Sequence, residues 1–165
     1  MEKNIVKTPG SVYTVRFSDC DPYGHLNNSK YIDYFFDARA DHLEVHYAYS
    51  LHDLQKQGVG FVVASQEIMY IKPVRMYEKI YIQSSIIMQK DSGLMLEFQM
   101  LNDARTELKS IMWSVLFSID LNTAKRIEIT GELKALLERN LNEGVDIEGG
   151  LMKRFKDVKE SLTVK

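Results

Sequence analysis

The sequence is poor in cysteine, in long apolar runs and in excess charge of either sign. Its one cysteine, Cys20, cannot form an internal disulfide. The 21 basic and 23 acidic side chains are mixed along 165 residues. No basic stripe forms that could neutralise nucleic-acid phosphates. No apolar stretch approaches the roughly 20 residues that span a bilayer, and Met1–Asn4 lacks the start of a secretion signal. We therefore expect a soluble, cytoplasmic protein with no nucleic-acid partner and no membrane span.

The chain also lacks internal repeats, low-complexity tracts and linkers rich in glycine, serine or proline. A chain of this length buries a core without disulfides or metals. These features predict a single domain over residues 1–165, with a core at about residues 11–142 and a C-terminal tail at 143–165. The part of the tail after Gly150 is expected to be a short helix or loosely ordered.

Hydrophobic periodicity assigns the elements. Apolar residues at three- and four-residue steps from about Ser29 predict a helix of about twenty residues, long enough to cross a whole sheet. A second helix is predicted over Gly131–Asn142. Alternating and β-branched segments predict five strands, namely Ser11–Asp19, Phe61–Ile71, Lys79–Lys90, Leu94–Asn102 and Glu107–Ile119.

This order predicts an α+β domain in which a strand and a long helix precede an antiparallel meander of four strands. The helix would cover one face of the sheet. The opposite face and the sheet edge need another layer or a partner subunit. We therefore expect a dimer.

The connection between the first strand and the long helix concentrates chemically useful residues. Asp19, Asp21 and His25 lie within seven residues, next to the amides of a helix start. A carboxylate can act as nucleophile or general base, and helix-start amides can bind the oxyanion of an attacked carbonyl. Two interpretations remain open from the residues alone: an acyl-transfer site, or a turn followed by the helix-capping residues Asn27 and Asn28.

The same segment resembles the opening motif of the 4-hydroxybenzoyl-CoA thioesterase family. The matching residues are Arg16-Phe17-Ser18-Asp19-Cys20-Asp21-Pro22-Tyr23-Gly24-His25-Leu26-Asn27-Asn28-Ser29-Lys30-Tyr31, followed by Gly60–Val63, Tyr70–Pro73 and Glu78–Ile80. The resemblance implies a hotdog fold, in which an antiparallel sheet wraps around a long central helix. It also implies an acyl-CoA thioesterase that forms homodimers or homotetramers, with its site at a subunit interface.

The resemblance implies roles for individual residues. Asp21 would attack the thioester or activate water, and the backbone amide near Asn28 would bind the oxyanion. The segment also resembles plant-type acyl-ACP thioesterases, in which His25 matches a catalytic histidine, but Tyr23 stands in place of an asparagine of that motif. The side chain of His25 is therefore expected to act as a positioning or polarising group. The substrate would contact the side chains of Asn27, Tyr31, Phe35, Tyr23, Lys72 and Arg75.

No metal or organic cofactor is implied, because a thioester is already activated. His42 and His46 lie four residues apart, but no third ligand presents itself, which disfavours a zinc site. Cys20 stands between two aspartates, which disfavours a thiolate nucleophile. The rival functions are a thioesterase for acyl groups on a carrier protein and a non-catalytic hotdog protein that binds acyl-CoA.

Overall fold

A computed structural model describes residues 5–163. Its strands and helices follow the predicted order along the chain, and a short helix precedes the second strand. The elements are β1 Gly10–Thr14, α1 Tyr31–Tyr47, α2 Leu51–Lys56, β2 Val59–Tyr70, β3 Lys79–Lys90, β4 Gly93–Asn102, β5 Leu108–Asp120, α3 Gly131–Arg139 and α4 Gly150–Thr163.

The five strands form one antiparallel sheet in the order β1-β3-β4-β5-β2. The expected meander of four strands is correct only for β3, β4 and β5. The chain carries β2 past β3 to the far edge of the sheet, where it pairs with β5 from Val59 to Tyr70. β1 occupies the other edge and pairs with β3. In the part of the chain that the structure describes, β1 and β2 each have one side without a strand partner.

Helix α1 packs across one face of the sheet, which confirms the expected helix-on-sheet architecture of a hotdog fold. Its residues Tyr31, Phe35 and Ala38 recur at helical spacing and are buried against β3, β4 and β5. The ring of Phe35 lies 5.3 Å from that of Phe98 on β4. Burial of this apolar stripe fixes the start of α1, and with it the preceding loop, against the sheet.

The opposite face of the sheet is covered by the end of the same chain. Leu151, Phe155 and Val158 of α4 pack with Ile111 and Trp113 in a second apolar cluster. The segment expected to be a short helix or loosely ordered is thus a helix of 14 residues docked on the sheet. Of the two explanations considered for this face, an additional layer within the chain is the correct one.

Buried polar contacts fix α4 on the outer face. Arg154 forms a bidentate pair with the carboxylate of Glu97 on β4, at 2.9 Å from Nε and 2.8 Å from Nη2. Glu97 also accepts from the indole of Trp113 at 2.9 Å and from the amide of Gln99 at 2.7 Å. The carboxylate is thereby satisfied although Glu97 is only 2% exposed.

Two predicted boundaries are wrong. The first strand ends at Thr14 and not at Asp19, because the chain turns into a 3-10 helix at Phe17–Asp19. The amide of Asp19 bonds the carbonyl of Arg16 across that turn. The helix predicted to reach Asn142 ends at Arg139, where the backbone leaves helical geometry. Within residues 5–163, no helix has the length and apolar character needed to cross a bilayer.

Candidate active site

The loop before α1 is closed on itself by backbone hydrogen bonds. The amide of Asp21 donates to the carbonyl of His25 at 2.8 Å, and the amide of Gly24 donates to the carbonyl of Asp21 at 3.0 Å. Gly24 has a φ of 75°, which only glycine adopts at little cost. Leu26 is buried and donates to the carbonyl of Val74 at 2.8 Å, which anchors the loop to the segment after β2.

This closed loop orients the carboxylate of Asp21. Its Oδ1 atom accepts from the amide of Tyr23 at 2.9 Å and from the amide of His25 at 3.1 Å. In the described part of the chain, no donor is bonded to its Oδ2 atom. The Oδ1 atom therefore holds the side chain in place, while the Oδ2 atom is free to react.

The start of the helical segment presents a second unused group. Asn27 caps a 3-10 turn at Asn28–Lys30, and its Oδ1 atom accepts from the amide of Ser29 at 3.0 Å. The hydrogen bonds among residues 5–163 give the amide of Asn28 no acceptor. The carbonyl of Asn28 accepts from the Tyr70 hydroxyl at 3.0 Å. The amide of Asn28 is thus a free donor on a backbone held from both sides.

These groups line one groove of roughly 280 Å³. Its lining residues are Asp21, His25, Leu26, Asn28, Tyr31, Tyr70, Ile71, Lys72 and Pro73. The structure therefore brings together five of the predicted site residues, Asp21, His25, Asn28, Tyr31 and Lys72. Burial raises the pKa of the Tyr31 hydroxyl to about 12.

Four other predicted site residues lie apart from the groove lining. Tyr23 is 85% exposed, while Phe35 is fully buried in the core. The side chain of Asn27 is engaged in its capping bonds. Arg75 is exposed, and its amide donates to the carboxylate of Glu78 at 2.8 Å.

Acidic partners already engage the cations at the groove rim. Lys72 pairs with Glu107, which also binds Lys109 at 2.8 Å. Lys109 continues to Glu78 at 3.1 Å. The hydrogen bonds from Lys109 and Lys72 lower the pKa of the Glu107 carboxyl. An anionic group of a ligand would compete with Glu107 for Lys72.

The thiol of Cys20 is not prepared for nucleophilic attack. Burial raises its pKa, and the charges of Asp19 and Asp21 raise it further. The thiol donates to the carbonyl of Arg16 at 3.4 Å. A thiol that stays protonated at neutral pH is a poor nucleophile, and Cys20 is not among the residues that line the groove.

Tyr70 is a groove residue that was not predicted from the sequence. It is the last residue of β2, and its ring packs edge-on against that of Tyr31, with centroids 5.0 Å apart. The sequence signals only that an aromatic residue ends a strand before a proline turn. Its approach to Asn28 depends on the placement of β2 relative to the loop, which the local pattern does not contain.

The sequence is similar to those of known thioesterases. The sequence model of a family described as "Thioesterase-like superfamily" matches residues 15–137. The long-chain acyl-CoA thioesterase FadM of Escherichia coli (strain K12) is 26% identical over 125 residues, covering 76% of this chain and 93% of that protein.

Solved structures of other proteins share the fold. The DHNA-CoA thioesterase of Staphylococcus aureus superposes with a TM-score of 0.73 at 20% identity, covering 80% of this chain and 87% of that one. The probable thioesterase YbaW of Escherichia coli superposes with a TM-score of 0.70 at 25% identity, covering 81% and 98%. Residues 138–165, which include α4, lie beyond the family match.

Proposed function

Because this chain belongs to the thioesterase-like superfamily, we propose that it hydrolyses acyl-CoA thioesters to the free acid and CoA in the groove at Asp21. The observation that carries the proposal is the pairing of two unused groups on one rigid loop. Asp21 has one anchored and one free carboxylate oxygen, and Asn28 offers a free amide in the same groove.

The thioester carbonyl would accept from the amide of Asn28, which stabilises the negative charge that develops on its oxygen. Asp21 has two routes from there. In the first, its free oxygen attacks the carbonyl carbon, the C–S bond breaks, CoA leaves as thiolate and water hydrolyses the resulting anhydride. In the second, Asp21 takes a proton from a water molecule whose oxygen attacks the carbonyl carbon, the C–S bond breaks, and the leaving CoA thiolate takes up the proton. Both routes consume one water and yield the acid and CoA.

The remaining groove residues would position the reacting groups. Tyr70 holds the Asn28 carbonyl and so fixes the peptide that follows the oxyanion donor. His25 contributes its amide to Asp21 and its side chain to the groove wall. Lys72 would meet a CoA phosphate if it exchanged Glu107 for it.

A second copy of the chain would complete the groove. Residues 62–67 of β2 are all exposed, and within residues 5–163 no strand other than β5 pairs with β2. Such an edge strand is prone to pair with another chain. Antiparallel pairing of two β2 strands about a twofold axis places the start of one strand beside the end of the other. Since Tyr70 ends β2 and lines the groove, the partner's β2 would form its missing wall.

The test is to measure thiol release from acyl-CoAs of increasing chain length. We expect activity for the unaltered protein and a loss of about 100-fold or more for Asp21→Asn, because the amide neither attacks nor accepts a proton. His25→Ala should lower the rate less than Asp21→Asn. A matched control is Asp37→Asn, which removes an exposed carboxylate from α1 outside the groove.

Circular dichroism should be the same for all four proteins, so that a lost activity is not a lost fold. Full activity in Asp21→Asn would refute the assigned mechanism. Binding of acyl-CoA without thiol release from any substrate would instead favour a non-catalytic binding protein. Release from acyl-carrier protein at a much higher kcat/KM than from acyl-CoA would identify the carrier protein as the substrate.

A further inference from the structure

A polar cavity of roughly 280 Å³ lies between α4 and the outer face of the sheet. Its lining residues are Tyr81, Gln83, Gln99, Leu101, Arg105, Arg154, Val158, Ser161 and Leu162. It shares no lining residue with the groove at Asp21, which lies beside α1 on the opposite face. One side of the cavity is formed by α4, which lies beyond the family match at residues 15–137. The cavity therefore depends on a segment that the matched thioesterase domain does not include.

The lining of this cavity carries positive charge and no negative charge. Its two charged residues are arginines, Arg105 and Arg154, and no carboxylate residue lines it. Arg154 is neutralised by Glu97, which lies behind the lining. The ion pairs among residues 5–163 do not include Arg105. Arg105 therefore gives the cavity one positive charge that no neighbouring carboxylate balances.

The turn between β4 and β5 holds Arg105 in an unusual backbone conformation. Its φ is 59°, in the left-handed region that costs energy for a residue other than glycine. The side chain of Asn102 supports the turn, because its Oδ1 atom accepts from the amides of Thr106 at 2.8 Å and Glu107 at 3.0 Å. The position of Arg105 at the cavity is therefore set by a hydrogen-bonded turn.

The ring of Tyr81 fixes the guanidinium without using its donors. The guanidinium of Arg105 lies 3.9 Å from the centroid of this ring. The ring is itself held against the backbone of β1, since a Cβ atom added to Gly10 would overlap the Tyr81 hydroxyl. A guanidinium has five N–H donors in its own plane, so contact with an aromatic face leaves them available for a ligand.

The floor of the cavity supplies further donors. Arg154 uses Nε and Nη2 for its bonds to Glu97, which leaves Nη1. The amide of Gln83 donates to the oxygen of Gln99 at 3.0 Å, and the amide of Gln99 donates to Glu97 at 2.7 Å. These bonds fix both side chains, and each amide nitrogen retains a second N–H. The cavity thus combines one unbalanced charge with several donors whose positions are fixed.

We propose that this cavity binds the phosphate group of a small molecule, with Arg105 as its main cationic partner. Arginine pairs with phosphate through two parallel hydrogen bonds. A phosphate monoester carries about −1.5 to −2 charges at pH 7 and three acceptor oxygens, which suits several donors around one cation better than a single carboxylate does. At about 30 Å³ for an atom with its hydrogens, similar to a water molecule, the cavity holds on the order of nine heavy atoms. This is the size of a phosphate ester with three carbons.

Calorimetric titration with inorganic phosphate and with glycerol 3-phosphate, at constant ionic strength, tests the proposal. We expect one ligand per chain, and binding to Arg105→Met roughly 10- to 100-fold weaker, the usual worth of a hydrogen bond to a charged group. Arg105→Lys keeps the charge without the fork and should show an intermediate loss. The matched control is Arg126→Met, because Arg126 also stacks on a ring, 3.4 Å from the centroid of Phe117, but lies outside the cavity. It should bind both ligands like the unaltered protein.

A second pair of variants tests the wall that α4 provides. Ser161→Glu places a carboxylate in the lining and should abolish binding of both ligands. Thr163→Glu adds the same charge to α4 outside the lining and should leave binding within about twofold, because exposed charges are screened by salt. Circular dichroism should be the same for all of these variants.

Three results would overturn the proposal. The first is no binding of either ligand by the unaltered protein. The second is unchanged binding in a folded Arg105→Met or Ser161→Glu. The third is tighter binding of malonate than of both phosphate ligands, which would assign the cavity to carboxylates.

The phosphate has two sources, the free ion or the monoester of a small molecule. Binding of glycerol 3-phosphate about 10-fold tighter than that of inorganic phosphate would identify the monoester, and equal binding would identify the ion. The site is independent of the hydrolysis proposed at Asp21. Asp21→Asn should therefore bind phosphate normally, and Arg105→Met should release thiol from acyl-CoA like the unaltered protein, so a failure at either site is separable from a failure at the other.

Discussion

Replacing Arg154 by methionine should destabilise the fold without touching the proposed active site. Arg154 supplies the only cation within salt-bridge distance of Glu97 among the described residues. In the variant, the carboxylate keeps its bonds from Trp113 and Gln99. Its charge would then lie between α4 and the sheet with no opposite charge.

The size of the effect follows from the burial of the two partners. Breaking a buried ion pair from one side costs about 3 to 5 kcal/mol. The Glu97 side chain is 3% exposed and that of Arg154 is 20% exposed, so water reaches the pair from one side. We therefore expect the low end, about 3 kcal/mol, which corresponds to a fall in Tm of about 6 to 12 °C for a domain of this size.

Urea unfolding followed by far-UV circular dichroism measures this free energy. The double variant Glu97→Gln, Arg154→Met should recover most of the loss, because the glutamine oxygen still accepts from Trp113 without a buried charge. Lys153→Met, whose ion pairs with Asp146 and Asp157 are exposed, should change the free energy by less than about 1 kcal/mol. A loss below 1 kcal/mol in Arg154→Met, or a double variant less stable than it, would show that the Arg154–Glu97 pair does not hold α4 in this way.

Three further outcomes follow from other parts of the molecule. Val63→Lys places a charge in the exposed stretch of β2; light scattering should then detect monomers, and thiol release should fall about 10-fold or more as the groove loses its partner wall. Tyr70→Phe removes the bond to the Asn28 carbonyl; kcat/KM should fall about 3- to 10-fold, with the unfolding free energy changed by about 1 kcal/mol or less. His42 has a folded pKa of about 4, below its ordinary 6.5; its contribution to stability is complete above pH 6.5 and is lost as the pH falls toward 4. Between pH 7 and 4.5 the protein should lose about 2 to 3 kcal/mol that His42→Gln does not lose, as measured by urea unfolding at both pH values.

The periodicity of apolar residues predicted the helices and strands that bury one face. The apolar steps from Tyr31 to Ala38 gave α1, and the alternation in Lys79–Lys90 gave β3 with its observed bounds. The neighbour of a strand is not a local property, so the passage of β2 to the far edge was missed. The docking of α4 could have been anticipated, because Leu151, Phe155 and Val158 recur at helical spacing.

In the candidate site too, local features could be predicted from the sequence and contacts between distant segments could not. The loop from Asp21 to Asn28 is local, and its turn and cap were readable from Gly24 and Asn27. Tyr70 contacts Asn28 although the two residues are 42 positions apart in the chain. No pattern in the sequence predicts that contact. The burial of Arg39 could not be predicted either, since an arginine on a helix is ordinarily a surface residue. Its burial is visible only once α1 lies on the sheet.

The contact of Trp113 with Glu97 gives the protein a built-in optical probe. Trp113 is the only tryptophan of the chain, and its indole N–H is bonded to the carboxylate that also holds α4. Detachment of α4 would take the Arg154 cation away from this carboxylate and admit water to the indole, so the emission maximum should shift to longer wavelength. The groove lies beside the start of α1, on the other face of the sheet. Intrinsic fluorescence will therefore follow the docking of α4 while ligands bind on the α1 side.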